Sequence, residues 1–401
     1  MRQKCTVLRD TGSPSTTGPF DLGGLRRPSA LAATAEAAGE PVVEVLEMDK
    51  HDLDDAARDP RVRAVAPVMP TLLIEPTPHD TDEATTVDDT RTWGVAAVGA
   101  DTSSATGAGV TVAVLDTGID AEHPAFSGVD LVQRDFTGSG VGDRQGHGTH
   151  VAGTVFGRDV DGTRIGVARG VERGLVGKVL DDRGRGDSEM LLQGIQWAVD
   201  QGAHVVSMSL GYDFPGLVSN LVDQGWPADL ATSSALEAYR ANLRMFDSLL
   251  DLLRARAAFG QGTVVVAAAG NESRREVHPD YEIAVSLPAA AEGVVSVGAL
   301  GQGGSGLTIA PFSNTFPQIS APGVGVLSAR TGSGLVAFNG TSMACPHVAG
   351  VAALWWERVL SESAPHAATT VTSRLLAHAD TGAIDSGVAA ADRGVGIVRA
   401  P

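Results

Sequence analysis

Val112-Ala113-Val114-Leu115-Asp116-Thr117-Gly118 sets four apolar residues, without alternation, ahead of a carboxylate and a turn. A strand with one face in water alternates apolar and polar residues, whereas one that is apolar at every position is buried on both faces, as in a parallel sheet covered by helices. Comparable runs recur at residues 176–179, 204–208, 263–268 and 294–297, separated by stretches of helical spacing at 189–200, 233–256 and 341–359. This alternation predicts an α/β fold, a parallel sheet flanked by helices. Open sheets of that kind build their sites at the carboxyl ends of the strands, so Asp116 is the first candidate functional residue.

Outward from this core the chain changes character. Residues 1–32 are rich in Gly, Pro, Ser and Thr and read as a flexible arm. Residues 33–76 read as a small α+β unit: Val42, Val43 and Val45 form a strand-like run, 52–58 is polar and helix-like, and 62–68 and 72–74 alternate as strands. Residues 77–92, dense in Thr, Asp and Pro, read as an exposed linker, with the main domain at 93–401. Within that domain, 212–260 is an enlarged insertion. Its second half carries Leu236, Tyr239, Leu243, Phe246, Leu250 and Leu253 at steps of three and four, a long amphipathic helix. Three roles are open for it: a roof over one side of the cleft, an oligomer contact, or added core.

Three further motifs carry chemistry. Gly146-His147-Gly148-Thr149-His150 places imidazoles beside glycines just before a helical pattern. Imidazole is the side chain suited to general base work near neutral pH, and glycines allow close backbone approach. Metal ligation by the two histidines lacks an intervening Glu and a nearby third ligand. Gly340-Thr341-Ser342-Met343-Ala344-Cys345-Pro346 sets a serine at the start of a long apolar helix, where the macrodipole favours a nucleophilic hydroxyl; the alternative is a simple helix cap. Cys345, one turn further in and next to Pro346, reads as buried and inert. Ala267-Ala268-Ala269-Gly270-Asn271 ends a buried strand in small residues and an amide, which is either a turn or an oxyanion donor beside a roomy pocket. Asp116-Thr117-Gly118 also evokes aspartic peptidases, but its further copies at Asp10 and Asp380 lie in the arm and after a helical stretch, not in an all-β setting.

Carboxylate, imidazole, amide and hydroxyl thus follow one another on one edge of a sheet. Together these segments resemble the signatures of the subtilisin-like serine peptidases, or subtilases, over residues 93–401. The resemblance implies a subtilisin-like fold with a small amino-terminal α+β prodomain. Asp116 would orient His147, His147 rather than His150 would be the base, Ser342 the nucleophile, and Asn271 with the Ser342 N–H the oxyanion hole. Ser209, Leu210 and Gly211 would bind the peptide as an added strand, Ala268, Ala269 and Gly270 would form the opposite pocket wall, and Ser286 would lie near its floor, favouring uncharged side chains. A zymogen cut within 77–92, with the amino-terminal segment as intramolecular inhibitor, follows from the same resemblance. Calcium is raised by it too; however, in Arg158-Asp159-Val160-Asp161-Gly162-Thr163-Arg164 two arginines offset two carboxylates, so calcium stays open and no cofactor is expected.

Composition excludes other classes. A net charge of −18 repels a phosphate backbone, so nucleic acid is not expected as a partner. Cys5 and Cys345 offer no disulfide framework, and no apolar stretch is long enough to span a bilayer. The first thirty residues contain no leader-like apolar run, so the chain as written reads as cytoplasmic, with secretion as the alternative. The leading expectation is a serine endopeptidase acting on proteins or peptides. The alternatives are a transpeptidase or macrocyclase on the same triad and a silent peptide-binding module.

Overall fold

The computed structural model describes residues 2–12, 41–78, 86–88, 90–257, 262–363 and 366–401. The chain divides into two compact units, one of Met1–Met69 with Phe214–Gly262 and one of Pro70–Asp213 with Thr263–Pro401.

The larger unit is built on an eight-stranded sheet. Its order is Leu307–Ile309, Val294–Gln302, Val264–Ala268, Val205–Met208, Thr111–Asp116, Arg173–Lys178, Asp130–Asp135, with Ile319–Pro322 also paired to Val294–Gln302. All neighbours are parallel except Leu307–Ile309. Thr111–Asp116 is buried along nearly its whole length. Its alternate residues face opposite layers: Val112 and Val114 join the core that includes helices His147–Phe156 and Thr341–Leu360, while Leu115 lies against Gly194 of helix Ser188–Asp200. The continuous apolar run is therefore explained by helices on both faces. The chain first adds strands on one side of Thr111–Asp116 and later on the other, so Asp116 ends the strand at which the direction reverses, the position where α/β sheets open a crevice. Among the described residues no helix is long and apolar enough to cross a membrane.

The smaller unit joins two segments far apart in sequence. Gln3–Asp10 is the central strand of an antiparallel sheet, between Pro41–Met48 and Val62–Pro67. The arm expected at residues 1–32 thus contains a fully paired strand; the run Cys5-Thr6-Val7-Leu8, buried throughout, is diluted by the Gly, Pro, Ser and Thr that follow. The rest of that arm, 13–40, lies outside the described residues. Helix Lys50–Ala56, closed by an Asp49–Asp52 capping box, covers one face through Cys5, Val7, Met48 and Ala56. Arg9 ties the strands together by pairing with Glu44 at 2.8 Å and Asp59 at 2.7 Å.

The insertion belongs to this smaller unit. It is a hairpin of helices Phe214–Asp223 and Ala228–Ala257, with the Phe214 and Tyr239 rings edge to face at 6.2 Å. The second helix packs on all three strands of the sheet. Its buried stripe is Ala231, Ala235, Ala238, Asn242, Met245, Phe246, Leu249 and Leu250, while Leu236 is exposed. The helix expected at 233–256 is present, but its inner face uses small residues where the sheet approaches closely, and hydropathy alone marks the larger ones. Asn242 is fully buried, and its Nδ2 donates to Pro67 O at 2.8 Å and Ala238 O at 2.9 Å. Of the roles read from sequence, added core matches this packing, in a unit that the sequence reading assigned to residues 33–76 alone.

Candidate active site

Asp116 and His147 meet at the end of the central strand. Asp116 Oδ1 lies 2.8 Å from His147 Nδ1, with both side chains fully buried. Two glycines allow the approach: a Cβ on Gly148 would sit 2.2 Å from Gly118 O, and one on Gly118 would sit 2.3 Å from Gly142 O. Gly146, at φ 98°, turns the chain into helix His147–Phe156, a conformation L side chains avoid.

A residue that the sequence reading missed holds this corner. Asp143 accepts hydrogen bonds from Gln145 N, Gly146 N, Thr149 N, Thr149 Oγ1 and Thr117 Oγ1, all between 2.7 and 3.1 Å. Thr117 Oγ1 in turn accepts from Gly148 N at 2.9 Å. One buried carboxylate therefore fixes the residue after Asp116 to the first turn of the histidine helix. The available signal was its place four residues before His147, easily passed over as turn chemistry.

Ser342 is the second residue of helix Thr341–Leu360 and is fully buried. Its Oγ donates to Ile74 O at 3.1 Å and Ser209 O at 3.4 Å. His147 Nε2 has no hydrogen-bond partner among the described residues, so the hydroxyl is turned to Ile74 and not to the imidazole. Asn271 follows strand Val264–Ala268. Its Oδ1 accepts from Thr341 N and Thr341 Oγ1, both at 2.9 Å, which aims Nδ2 outward to Glu75 O at 3.3 Å. Asn314, also missed from sequence, braces the turn: its Nδ2 donates to Ala269 O at 3.1 Å and its Oδ1 accepts from Glu272 N and Ser273 N at 3.1 Å.

The other candidates for the chemistry are otherwise engaged. His150 Nε2 lies 3.0 Å from Val326 O, and burial pulls its pKa down to about 3. Burial pushes the Cys345 thiol up to about 11, which leaves it protonated and unreactive. In the stretch from Arg158 to Arg164, Asp159 pairs with Arg169 at 3.4 Å, and the Arg164 guanidinium donates to Gly166 O and Val167 O. Among the described residues no three His, Cys, Asp or Glu side chains converge.

The cleft contains a strand of the chain itself. Pro70–Leu73 is the middle strand of an antiparallel sheet between Arg185–Asp187 and Leu210–Tyr212. Leu72 pairs with Gly211 and Leu73 with Leu210, and Leu73 N donates to Gly184 O at 2.8 Å. Downstream, Thr77–Pro78 pairs with Leu335–Asn339. Ile74 is buried; its Cγ1 and Ser286 Oγ both lie within 3.8 Å of where a Gly211 Cβ would project. Ser286 N donates to Ala269 O at 3.3 Å, joining the expected pocket floor to one of its walls, and Ser209 Oγ donates to Ser342 O at 3.1 Å. Ala268 lies with Ile74 in one core cluster, and Gly270 N donates to Thr341 Oγ1 at 3.2 Å. The carbonyl that Ser342 Oγ meets at 3.1 Å is thus that of Ile74, ahead of the 77–92 linker, of which 79–85 and 89 lie outside the described residues.

The sequence model of the Subtilase family matches residues 107–397. The chain is 34% identical over 322 residues to a thermostable alkaline protease of Halalkalibacterium halodurans, covering 78% of this chain and 72% of that one. It is 35% identical over 268 residues to subtilisin BL of Lederbergia lenta, covering 65% and 82%. It is 34% identical over 256 residues to an intracellular serine protease of Paenibacillus polymyxa, covering 62% and 67%.

Proposed function

The chain belongs to the subtilase family of serine endopeptidases, and from that premise we propose that Asp116, His147 and Ser342 are its triad, that Asn271 is its oxyanion donor, and that its first substrate is its own Ile74–Glu75 bond. Asp116, accepting from Nδ1–H, keeps the proton off Nε2, the nitrogen that faces the reaction. Ser342 Oγ turns from Ile74 O toward Nε2, gives up its proton and bonds to the Ile74 carbonyl carbon. His147 then passes that proton to the departing Glu75 nitrogen, leaving an ester between Ser342 and Ile74. Water, deprotonated by the same nitrogen, hydrolyses the ester. The negative oxygen formed in each half-reaction is met by Asn271 Nδ2 and the Ser342 N–H. Thr341 already anchors the amide oxygen, so Nδ2 has only to pass from Glu75 O, its partner in the uncleaved chain, to the oxygen of Ile74.

The observation that carries this reading is the Pro70–Leu73 strand, which delivers the Ile74 carbonyl to Ser342. Asn271 reaches the next carbonyl, that of Glu75, but two facts favour the earlier bond. The Ile74 side chain is buried whereas that of Glu75 is exposed, and the bond after Glu75 leads into Pro76. An amino-terminal segment seated there before cleavage blocks other peptides, which supports synthesis as a zymogen. The burial of Ile74 within the apolar core cluster supports a preference for uncharged aliphatic side chains before the cut bond. Intact mass after expression tests the proposal: wild type is expected as residues 1–74 and 75–401, with Ser342→Ala remaining full length. A cut that persists without the serine, or one that falls in 77–92, overturns it.

A further inference from the structure

Of the 30 Lys and Arg residues in the chain only three are Lys, and one of them, Lys178, is buried to 2% exposure. A charged side chain is almost never buried so completely unless it is paired. Lys178 ends strand Arg173–Lys178 and stands in register with Asp116 on the neighbouring parallel strand. It alternates with Val176, which shares a core cluster with Val112 and Val114, so its side chain leaves the sheet on the face of Asp116. Nζ donates to Gly142 O at 3.0 Å and to Asp182 Oδ1 at 2.5 Å. The second bond holds the Asp182 carboxyl below its ordinary range. Two acceptors at the tip of one long stem suit a compact ammonium better than the planar fork of Arg.

The two acceptors belong to different parts of the site. Gly142 O immediately precedes Asp143, whose carboxylate gathers Gln145 N, Gly146 N and Thr149 N at the head of the histidine helix. Asp182 lies in the 181–185 turn, closed by bonds from Arg183 N and Arg185 N to Asp181 Oδ1. From that turn Gly184 O accepts Leu73 N, and Arg185–Asp187 pairs with the strand in the cleft. Arg144 also reaches Asp182, at 3.3 Å, but its side chain is 80% exposed, where water and salt weaken such a pair. The buried ammonium is the stiffer link.

We propose that Lys178 is a positioning residue that couples the seating of a peptide strand to the placement of His147. The proposal rests on the site described above. A peptide that bonds Gly184 O and pairs with Arg185–Asp187 steadies the 181–185 turn. Asp182 then holds the ammonium, the ammonium holds Gly142 O, and the Asp143 turn carries the imidazole with less freedom. Binding energy from residues remote from the cut bond is thereby realised in the transition state, and raises kcat as well as lowering KM. A substrate with one residue before the cut bond makes none of these strand contacts.

The experiment uses the enzyme as expressed, after any self-processing, with rates expressed per active site titrated by a fluorophosphonate so that misfolded molecules do not count. Two anilide substrates are compared, acetyl-Pro-Thr-Leu-Leu-Ile, the sequence of residues 70–74, and acetyl-Ile. In wild type the longer one is expected to have the higher kcat. Asp182→Ala cuts the link at its outer end and is expected to lower that kcat about tenfold, while the KM of the longer substrate and the kcat of the shorter stay within about threefold. Lys178→Met is expected to lower the ratio of the two kcat values by the same factor, and the double variant no further, because both changes break one chain of bonds. Arg144→Ala should leave the ratio unchanged. A second readout needs no turnover: in Ser342→Ala, with Pro70–Leu73 in the cleft, adding Asp182→Ala should speed amide exchange at Gln145, Gly146 and Thr149 about tenfold. Equal losses on both substrates, or a change in KM alone, overturn the coupling and leave Lys178 a structural anchor. Unchanged exchange at the three amides overturns it as well. A wild type that reacts with neither substrate nor the fluorophosphonate refutes the proposed site and any part of Lys178 in turnover, and exchange then decides the coupling of the two turns alone.

Discussion

The catalytic sheet and the amino-terminal sheet are both covered on two faces, but the cover comes from different places in the chain. Thr111–Asp116 is flanked by helices drawn from the same unit, and all of them lie after residue 74. Gln3–Asp10 is flanked by Lys50–Ala56 on one side and on the other by helix Ala228–Ala257, from far along the chain. The proposed cleavage after Ile74 would leave the first core in one piece and divide the second between two fragments.

The largest expected effect lies wholly in the catalytic unit. Ser342→Ala should lower kcat by about 10⁶, a magnitude taken from subtilisin itself, and should leave the chain at full length. Kinetics on a peptide substrate and intact mass check both halves; a variant that keeps its rate or is still cut would remove Ser342 from the chemistry.

Phe246→Ala strikes the other unit. Phe246 is fully buried on the long helix, and removal of a buried aromatic ring costs about 3–5 kcal/mol. In a Ser342→Ala background, amide exchange should show that loss in Gln3–Asp10 and Val62–Pro67 and leave Thr111–Asp116 and Val264–Ala268 unaffected. A loss spread evenly over all four strands would break the comparison.

Acid should separate the units by pH. Burial lowers His347 to about 4 and His150 to about 3, against 6.5 for the free group. The unfolded chain then binds protons that the folded one refuses. Their contribution is complete above pH 6.5 and is lost as pH falls through the folded values, on the order of 3 kcal/mol for His347. In the smaller unit the Arg61 and Arg9 guanidinium groups hold Asp59 at about 2, so its contribution is lost only between pH 3.8 and 2. A pH series of unfolding, with His347→Gln flattening the loss between 6.5 and 4, tests the order; a smaller unit that opens first reverses it.

What could be read from the sequence follows the same division. Runs such as Val112–Leu115 announce burial on both faces because every residue is apolar, and Asp116, His147, Ser342 and Asn271 stand out where such runs stop or glycines intervene. Asp143 and Asn314 act through side-chain bonds to backbone groups that only the folded turn gathers, so nothing in their neighbourhood distinguishes them from turn residues. The smaller unit was harder. Its central strand is four buried residues at the head of a polar arm, its long helix buries Ala and Asn where hydropathy looks for Leu, and Leu72–Ile74 alternates like a last strand of the small sheet although it pairs in the cleft. Pairing partners at long range leave no periodicity in either segment.

The smallest effect concerns how firmly the proposed oxyanion donor is held. Thr341 anchors Asn271 Oδ1 twice, through its N–H and its hydroxyl, each at 2.9 Å. Thr341→Val removes one anchor and leaves the Gly270 N–H without its acceptor at 3.2 Å. The backbone anchor remains, so Nδ2 keeps its direction but loses stiffness. A loss of about tenfold in kcat is expected, about 1.4 kcal/mol, which is the scale of one neutral hydrogen bond. KM should hardly move, because the amide meets charge that exists only in the transition state. Asn271→Ala sets the ceiling, about 10²–10³ in kcat by the subtilisin value. If Thr341→Val falls as far as Asn271→Ala, the hydroxyl and not the helix backbone aims the amide, and the site depends on a side chain where the geometry assigns that work to the fold.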